Sequence, residues 1–294
     1  MSRLSKLLQR HCHPVADGAW GTELAKRGLS IGEVPEMWNL NRSGEVASVA
    51  RSYVEAGADI ILTNTFGGSR LKLAKAGLAD RCAALNRAGV EISKQAAGDR
   101  VVVLASIGPT GEFMQPLGLV SEQEMVDCFA EQVQALAEGG ADGFVIETMS
   151  DLGEAIAALR AVRENCGLPA VVSMTFEQGP AGYATIMGVK PPHAATALSE
   201  AGADVVGANC GCGIDVMIGV IGEMAQATSL PLWAKPNAGL PQLVAGQTVF
   251  RETPEQMAAN VPALIDAGAR IVGGCCGTAP DHIRTIATVI RGAD

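Results

Sequence analysis

One recurring pattern constrains the fold of this chain more than any other sequence feature. In each copy a helix-like segment ends at a short glycine-containing joint, and a short apolar run follows directly. Glycine commonly ends helices because it adopts the left-handed backbone without strain, and a short apolar run is typical of a buried strand. The four joints are Ala56–Asp59, Gly139–Asp142, Ala201–Asp204 and Ala267–Arg270. Four equivalent joints predict four equivalent helix–strand units.

Four further strand-like runs alternate with these units, at Val15–Asp17, Val101–Ser106, Ala170–Thr175 and Leu232–Pro236. Eight short apolar strands separated by helical segments are typical of a parallel sheet covered by helices. A doubly wound sheet is the alternative, but eight units in 294 residues favour a closed (β/α)8 barrel, whose usual length is about 250 residues. No linker-like change of composition divides the chain, so we expect residues 1–294 to form a single α/β TIM-barrel domain.

Polar residues stand at the carboxyl ends of the predicted strands. Active sites of (β/α)8 barrels lie at this end, where the loops to the following helices meet. These residues are Asp17, Thr63, Asn64, Ser106, Glu147, Thr175, Cys210, Asn237, Cys275 and Cys276. We therefore expect them to converge on one mouth of the barrel.

Three of the eight cysteines belong to this set. Cys210 follows Gly207–Asn209, and Cys275 and Cys276 stand side by side between glycines. Cysteine sulfur is a preferred ligand for zinc, and catalytic zinc sites keep one position open beside three protein ligands. The three thiols therefore predict a zinc site whose open position accepts the thiol of a substrate.

Two other interpretations of the cysteines stay open at this stage. The adjacent pair could form a strained redox disulfide. Cys212 could instead supply a fourth sulfur and close the metal site, which would then be structural and belong to a binding protein rather than an enzyme. The remaining cysteines are interpreted as small core or leader residues, and they are Cys12, Cys82, Cys128 and Cys166.

The charge of the chain restricts its partners. The 22 basic and 31 acidic residues give a formal net charge of -9, which argues against nucleic acid or an anionic membrane surface as the main partner. No apolar stretch approaches the roughly 20 residues that span a bilayer, and no signal-peptide core follows the basic residues of Met1–His13. We therefore expect a cytoplasmic protein whose cysteines serve as thiols or metal ligands rather than disulfides.

Seven short segments, taken together, resemble the homocysteine S-methyltransferase family over nearly the whole chain. They are Asp17–Glu23, Thr63–Gly67, Ile107–Gly111, Glu147–Thr148, Gly207–Cys210, Lys235–Gly239 and Gly273–Thr278. The resemblance implies a zinc-dependent (β/α)8 enzyme that activates the thiol of homocysteine and methylates it to methionine.

The resemblance also implies roles for individual residues. Cys210, Cys275 and Cys276 match the zinc ligands of the family, so they would be both the metal-binding and the catalytic residues. Asn237 is implied to approach the zinc when no substrate is bound. A free thiol is mostly protonated at neutral pH, whereas zinc coordination removes the proton and leaves a nucleophilic thiolate.

Four further residues are implied to hold the amino-acid part of the substrate. Asp17 and Glu147 match the groups that bind the amino group, and the backbone at Gly18 and Ala19 matches the region near the carboxylate. Taken singly, Asp17 is also compatible with a helix N-cap and Glu147 with a buried ion pair. Their common position at strand ends favours substrate binding.

The methyl donor is the least constrained part of the prediction. A quaternary ammonium donor calls for an aromatic cage, whereas only 4% of the residues are aromatic. Betaine-dependent relatives carry a tyrosine in the loop that here reads Asn64–Ser69, although Trp20 and Trp38 could supply part of a cage. Betaine, S-methylmethionine or another sulfonium donor therefore stays open.

Three segments look most like the homocysteine domain of cobalamin-dependent methionine synthase, namely Asn64–Leu73, Pro236–Gly239 and the hairpin-like Leu243–Phe250. That family appends folate- and cobalamin-binding domains, for which 294 residues leave no room. We therefore expect the methyl group to come from a methylcobalamin or other methylcorrinoid on a separate protein. The alternative is the opposite direction, from a small methylated donor to a corrinoid or another thiol.

Overall fold

Strands and helices alternate along the chain in the computed structural model, which describes residues 1–244 and 247–293. Within these residues the strands are β1 (Ile60–Ile61), β2 (Val102–Ile107), β3 (Gly143–Met149), β4 (Ala170–Met174), β5 (Glu177–Gly179), β6 (Gly182–Ala184), β7 (Val205–Asn209), β8 (Leu232–Lys235), β9 (Gln242–Val244), β10 (Gln247–Val249) and β11 (Ala269–Val272). Seven of the described strands form one parallel sheet in the order β1-β2-β3-β4-β7-β8-β11. The other four form two antiparallel hairpins.

The segment Val15–Ala16 joins the two edges of this sheet. Val15 pairs in parallel with Val272 of β11, and Ala16 pairs in parallel with Ile60 of β1. The backbone N–H of Ala16 donates to the carbonyl of Val272 (2.8 Å), and that of Asp17 donates to the carbonyl of Ile60 (3.0 Å). The short segment supplies the eighth strand and leaves neither edge unpaired, so the predicted TIM-barrel fold is confirmed.

Helices cover the outer side of the sheet because each presents one apolar face to it. In α4, for example, the buried residues Val46, Val49, Ala50 and Tyr53 recur at the spacing of a helix. The described helices are α1 (Arg3–Arg10), α2 (Trp20–Lys26), α3 (Trp38–Asn41), α4 (Ser43–Glu55), α5 (Arg70–Ala74), α6 (Cys82–Ala97), α7 (Glu122–Glu138), α8 (Leu152–Asn165), α9 (Pro191–Glu200), α10 (Ile214–Ala225), α11 (Pro254–Ala259), α12 (Val261–Asp266) and α13 (Pro280–Ala293), with short 3-10 helices at Pro35–Met37 and Ala79–Arg81.

The four predicted joints end helices as expected. Each contains one glycine in the left-handed region, with φ of 92° at Gly57, 89° at Gly140, 93° at Gly202 and 116° at Gly268. A side chain at these positions would strain the backbone, which is why glycine marks the joints in the sequence.

Inward-facing strand residues and α1 fill the amino end of the barrel. Ile60, Val145, Trp233 and their neighbours form one buried cluster, and Leu4 and Leu7 of α1 belong to the same cluster. The helix therefore closes the amino end of the barrel, and the carboxyl end is left for a site.

Both hairpins follow the carboxyl ends of barrel strands. The β5–β6 hairpin follows β4, and the β9–β10 hairpin follows β8. The second one corresponds to the predicted hairpin Leu243–Phe250, of which residues 245–246 lie outside the described part of the chain. Among the described residues, every helix is too short or too polar to cross a lipid bilayer.

Candidate thiol site at the barrel mouth

The carboxyl ends of β7 and β11 bring three cysteine sulfur atoms together. Cys210 follows β7 directly, and Cys275 and Cys276 lie in the loop after β11. The Sγ atoms of the three residues lie within 4.8 Å of one another, and those of Cys210 and Cys276 are 3.7 Å apart. Tetrahedral zinc with zinc–sulfur distances of about 2.3 Å needs sulfurs about 3.8 Å apart. The donor set and its spacing therefore fit zinc.

Backbone hydrogen bonds with the end of β8 and the loop after it hold the two cysteine segments together. The N–H of Cys210 donates to the carbonyl of Lys235 (3.1 Å), and that of Cys275 donates to the carbonyl of Pro236 (2.8 Å). The N–H of Ala238 donates to the carbonyl of Cys276 (3.0 Å). Three neighbouring strand ends thus fix the positions of the sulfur atoms through the backbone.

Hydrogen bonds among the three thiols give them different pKa values. Hydrogen bonds from Cys275 and Cys276 lower the pKa of Cys210 to about 3. The bond to Cys210 raises the pKa of Cys275 to about 11 and also raises the pKa of Cys276. Of the three thiols, Cys210 therefore loses its proton most readily.

Asn237 and Cys212 occupy different surroundings near this cluster. The side chain of Asn237 is buried and hydrogen-bonds Cys210, while its Oδ1 has no hydrogen-bond partner among the described residues. Cys212 is packed in the apolar core and is not part of the group of three sulfurs, and burial raises its pKa to about 12. The structure therefore offers an oxygen atom, rather than a fourth sulfur, beside the thiols.

A cavity of about 260 Å³ opens beside the three cysteines. Glu147, at the end of β3, lines it and accepts a hydrogen bond from the hydroxyl of Ser106 (2.5 Å). Burial raises the pKa of Glu147 to about 7, partly opposed by the positive charge of Lys235. Six residues of the predicted site line this cavity together, and they are Gly18, Ala19, Glu147, Cys210, Cys275 and Cys276.

Asp17 is near the cavity but does not line it. Its carboxylate is fully buried, and one oxygen accepts a hydrogen bond from the ammonium group of Lys235 (2.6 Å). The other oxygen accepts from the indole N–H of Trp20 (2.7 Å) and from the backbone N–H of Leu62 (2.7 Å). Both oxygens of Asp17 therefore already have partners within the protein. The contact of Asp17 with a substrate amino group stays a prediction.

The backbone groups at Gly18 and Ala19 differ in availability. The N–H of Ala19 donates to the carbonyl and the hydroxyl of Thr278, both at 3.2 Å. A side chain at Gly18 would approach the Thr278 hydroxyl to 2.8 Å and Tyr53 to 2.9 Å, so only glycine fits there. Within the described residues, the N–H of Gly18 has no hydrogen-bond partner, and Gly18 lines the cavity.

Sequence reasoning missed Lys235 and Glu36 as residues of the cavity wall. Lys235 ends the apolar strand β8, and a buried lysine there requires a carboxylate partner, so its position was a usable signal. Glu36 is buried in a 3-10 helix and accepts a hydrogen bond from the N–H of Gly67 (2.6 Å), and burial raises its pKa. Its neighbours in the sequence gave no comparable signal.

The suggestion that Trp38 contributes to an aromatic cage is wrong. Trp38 is fully buried under the guanidinium group of Arg42, 3.9 Å from the ring centre, and its indole N–H donates to Glu33. Trp20 and Phe66 do line the cavity. The aromatic surface available to a ligand therefore comes from these two residues.

Comparison with protein families and curated sequences identifies relatives over nearly the full chain. The model of the family described as homocysteine S-methyltransferase matches residues 14–290. The methionine synthase of Mycobacterium leprae (strain TN) is 31% identical over 94% of this chain. The methionine synthase of Mycobacterium tuberculosis (strain ATCC 25618 / H37Rv) is 32% identical over 94% of this chain. In both cases the match covers 24% of the relative, so the chain spans about a quarter of its length.

A solved structure has the same fold. The metallated form of the homocysteine methyltransferase MmuM from Escherichia coli superimposes with a TM-score of 0.80 and 23% sequence identity. The superposition covers 96% of this chain and 98% of that protein. At this level of identity the likeness concerns the barrel itself.

Proposed function

Since the chain belongs to the homocysteine S-methyltransferase family, we propose that residues 1–294 form a zinc-dependent barrel domain that methylates the thiol of homocysteine to give methionine. The observation that carries the proposal is the group of three sulfur atoms beside a cavity that also contains a buried carboxylate. A metal-binding thiol cluster and an ammonium acceptor in one cavity fit the two ends of an amino acid with a side-chain thiol.

Cys210, Cys275 and Cys276 would hold the zinc ion, and the free Oδ1 of Asn237 would be a fourth, exchangeable partner. Zinc in this position would keep a substrate thiol in its thiolate form at neutral pH. The thiolate donor set supports zinc over harder metal ions. A cytoplasmic location is part of the proposal, because thiol ligands persist in a reducing compartment.

Glu147 and Gly18 would orient the substrate. The carboxylate of Glu147 would accept hydrogen bonds from the substrate ammonium group, with the hydroxyl of Ser106 fixing its orientation. The backbone N–H at Gly18 would bind the substrate carboxylate. Asp17 would act on the substrate through Lys235, which lines the cavity and donates a hydrogen bond from its ammonium group to Asp17.

We further propose that the methyl group comes from a methylcorrinoid on a separate protein. The loops at the barrel mouth carry large apolar side chains with high exposure, including Leu119 (93%), Leu243 (78%) and Ile186 (70%). A concentration of exposed apolar side chains around a site is typical of a protein-binding surface. A small donor would need only the cavity, whereas a carrier protein needs a surface around it.

A cationic small donor is the second candidate. Trp20 and Phe66 line the cavity together with the carboxylate of Glu36, and aromatic faces with a carboxylate attract sulfonium and quaternary ammonium groups. Betaine or S-methylmethionine would then replace the corrinoid, and transfer from such a donor to a corrinoid would be the reverse use of the same cavity.

Zinc-edge X-ray absorption with and without L-homocysteine tests the proposal. We expect three sulfur ligands and one lighter atom in the free protein, and four sulfur ligands after homocysteine is added. An unchanged shell of four sulfurs would indicate that Cys212 closes the site, and absence of metal would favour a redox role for the cysteine pair. Assays with methylcobalamin, betaine and S-methylmethionine then identify the donor class.

A further inference from the structure

Asn209, the last residue of β7, has a side chain in which every hydrogen-bonding position is used. It is fully buried. Its Oδ1 accepts hydrogen bonds from the backbone N–H of Thr148 (2.8 Å) and from the hydroxyl of Ser173 (2.7 Å). Its Nδ2 donates to the hydroxyl of Thr148 (2.7 Å) and to the sulfur of Cys275 (3.7 Å). A backbone N–H can only donate, so the amide oxygen must face Thr148 and the amide nitrogen must face the sulfur.

The residues next to Asn209 have an unusual backbone conformation. Thr148 and Cys210 both have φ of 61°, and they are the only non-glycine residues with positive φ within 1–244 and 247–293. Positive φ is strained for a β-branched residue such as threonine, and it persists only where surrounding contacts enforce it. The two hydrogen bonds between Asn209 and Thr148, one donated by each residue, are contacts of this kind.

These contacts connect the two halves of the cavity. Thr148 follows Glu147, so the backbone that Asn209 holds is the part of β3 directly after this carboxylate. On its other side Asn209 precedes Cys210 and donates to Cys275. The buried amide of Asn209 is therefore hydrogen-bonded to the segment of the proposed ammonium acceptor and to the sulfur of Cys275, and the same residue directly precedes Cys210 in the chain.

We propose that Asn209 is a positioning residue that holds the Cys275 sulfur through an N–H···S hydrogen bond and aligns it with Glu147. The inference rests on the proposed metal site. An N–H donor directed at a thiolate ligand withdraws negative charge from the sulfur and fixes its direction. Partners of metal ligands commonly affect metal affinity by about 10- to 100-fold when they are replaced.

Asn209→Asp removes the bond to sulfur and places a negatively charged, acceptor-only carboxylate oxygen beside the same sulfur. The aspartate retains one oxygen for the N–H of Thr148 and the hydroxyl of Ser173, and its second oxygen can accept from the Thr148 hydroxyl. Only the N–H···S contact has no replacement. The matched control is Ser173→Ala, which removes a hydrogen bond to the same Asn209 oxygen without touching the sulfur.

Zinc affinity is measured by chelator competition, and the sulfur-to-metal charge-transfer band is recorded with Co²⁺ in place of zinc. For Asn209→Asp we expect zinc affinity to fall by about 10- to 100-fold and the band to move to lower energy, because the Cys275 sulfur becomes a stronger electron donor. For Ser173→Ala we expect zinc affinity within about threefold of wild type and an unchanged band.

The outcomes separate this inference from the proposed function. A wild-type protein that binds neither Zn²⁺ nor Co²⁺ would contradict the proposed function and with it the inference. Metal binding in wild type with no difference in Asn209→Asp, or an equal effect in Ser173→Ala, would overturn the inference alone. If Asn209→Asp does not fold, NMR of the wild-type protein loaded with 113Cd decides, since the inference requires scalar coupling between cadmium and the Asn209 amide protons, and absence of coupling overturns it.

Discussion

At the scale of single residues, Cys276 and Cys212 differ in what surrounds their sulfur atoms. Cys276 lies 3.7 Å from the sulfur of Cys210, whereas Cys212 is packed among apolar side chains. We expect Cys276→Ala to lose stoichiometric zinc and methyl transfer together, because two sulfurs do not make a catalytic zinc site. Cys212→Ala should retain both, as measured by metal analysis of the purified proteins. Loss of zinc in Cys212→Ala would instead support the alternative interpretation, in which Cys212 is the fourth ligand of a closed structural zinc site.

The raised pKa of Glu147 predicts how substrate binding depends on pH. Burial raises its pKa to about 7, so the carboxylate that we propose as the acceptor of the substrate ammonium group is mostly protonated at pH 6 and mostly ionised at pH 8. The affinity for L-homocysteine should therefore rise with pH, and at pH 6 it should be about tenfold weaker than at pH 8 through this group alone.

A thiol without an amino group separates this effect from the proton that the thiol itself releases. 4-Mercaptobutanoate retains the thiol and the carboxylate, so its binding should follow pH only through the thiol. The difference between the two ligands, measured by titration calorimetry, should disappear in Glu147→Gln. Equal pH profiles for both ligands in the wild-type protein would exclude Glu147 as the ammonium acceptor.

The sequence indicated the sulfur cluster but not the polar network behind it. Cys210, Cys275 and Cys276 could be found because each follows a recognisable strand within glycine-rich sequence. Lys235 and Asn209 end strands in the same way, but their roles depend on partners about 60 to 220 positions away in the chain. Which of several strand-end polar groups pair with each other is decided by strand order and register, and a single sequence does not contain that information directly.

At the scale of the elements, the joints made the barrel predictable. A glycine that must adopt positive φ is recognisable in the sequence, and the start of the strand after it is then located to within two residues. The segment Val15–Ala16 was harder, because only two residues pair there and they connect strands from opposite ends of the chain. Ring closure is visible only once this segment lies between β1 and β11.

A substitution at Gly207 tests whether the close approach of β7 to β8 is needed for stability. A methyl group on Gly207 would lie 2.0 Å from the carbonyl oxygen of Trp233, which is backbone of β8 and cannot move aside. We expect Gly207→Ala to lower the free energy of unfolding by about 3 kcal/mol, at the upper end of the usual overpacking range. Chemical denaturation followed by circular dichroism measures the change.

Gly222 in α10 is the matched control for this substitution. A methyl group on Gly222 would meet no atom within 4 Å, and alanine favours a helix interior over glycine by about 0.5–1 kcal/mol. Gly222→Ala should therefore be neutral or stabilising. Equal denaturation midpoints for the two variants would show that the strands can separate without cost.

At the scale of the whole molecule, the two ends of the barrel differ in whether their apolar side chains are buried or exposed. Leu4 and Leu7 of α1 close the amino end with apolar contacts. At the carboxyl end, the segments that follow β2 and β8 expose Phe113, Leu119 and Leu243 to solvent. Exposed apolar side chains lower solubility unless a partner covers them, so their concentration at the mouth favours a protein that delivers the methyl group there.

Charged substitutions at the mouth distinguish a carrier protein from a free donor. In Leu119→Asp with Leu243→Asp, two exposed side chains change without touching the cysteines or Glu147. We expect methyl transfer from a methylcobalamin-loaded corrinoid protein to slow more than about tenfold, because each apolar contact at a protein interface contributes on the order of 1–2 kcal/mol. Transfer from free methylcobalamin should stay within about twofold of wild type, since it needs only the cavity.

Gln9→Asp supplies the control for charge, because Gln9 is exposed on α1 at the opposite end of the barrel. This variant should leave both rates unchanged. If the mouth variant slows both donors equally, the exposed leucines support the cavity rather than a partner. If it slows neither, the methyl donor reaches the thiol without a protein surface, and the aromatic faces of Trp20 and Phe66 then favour a cationic small molecule.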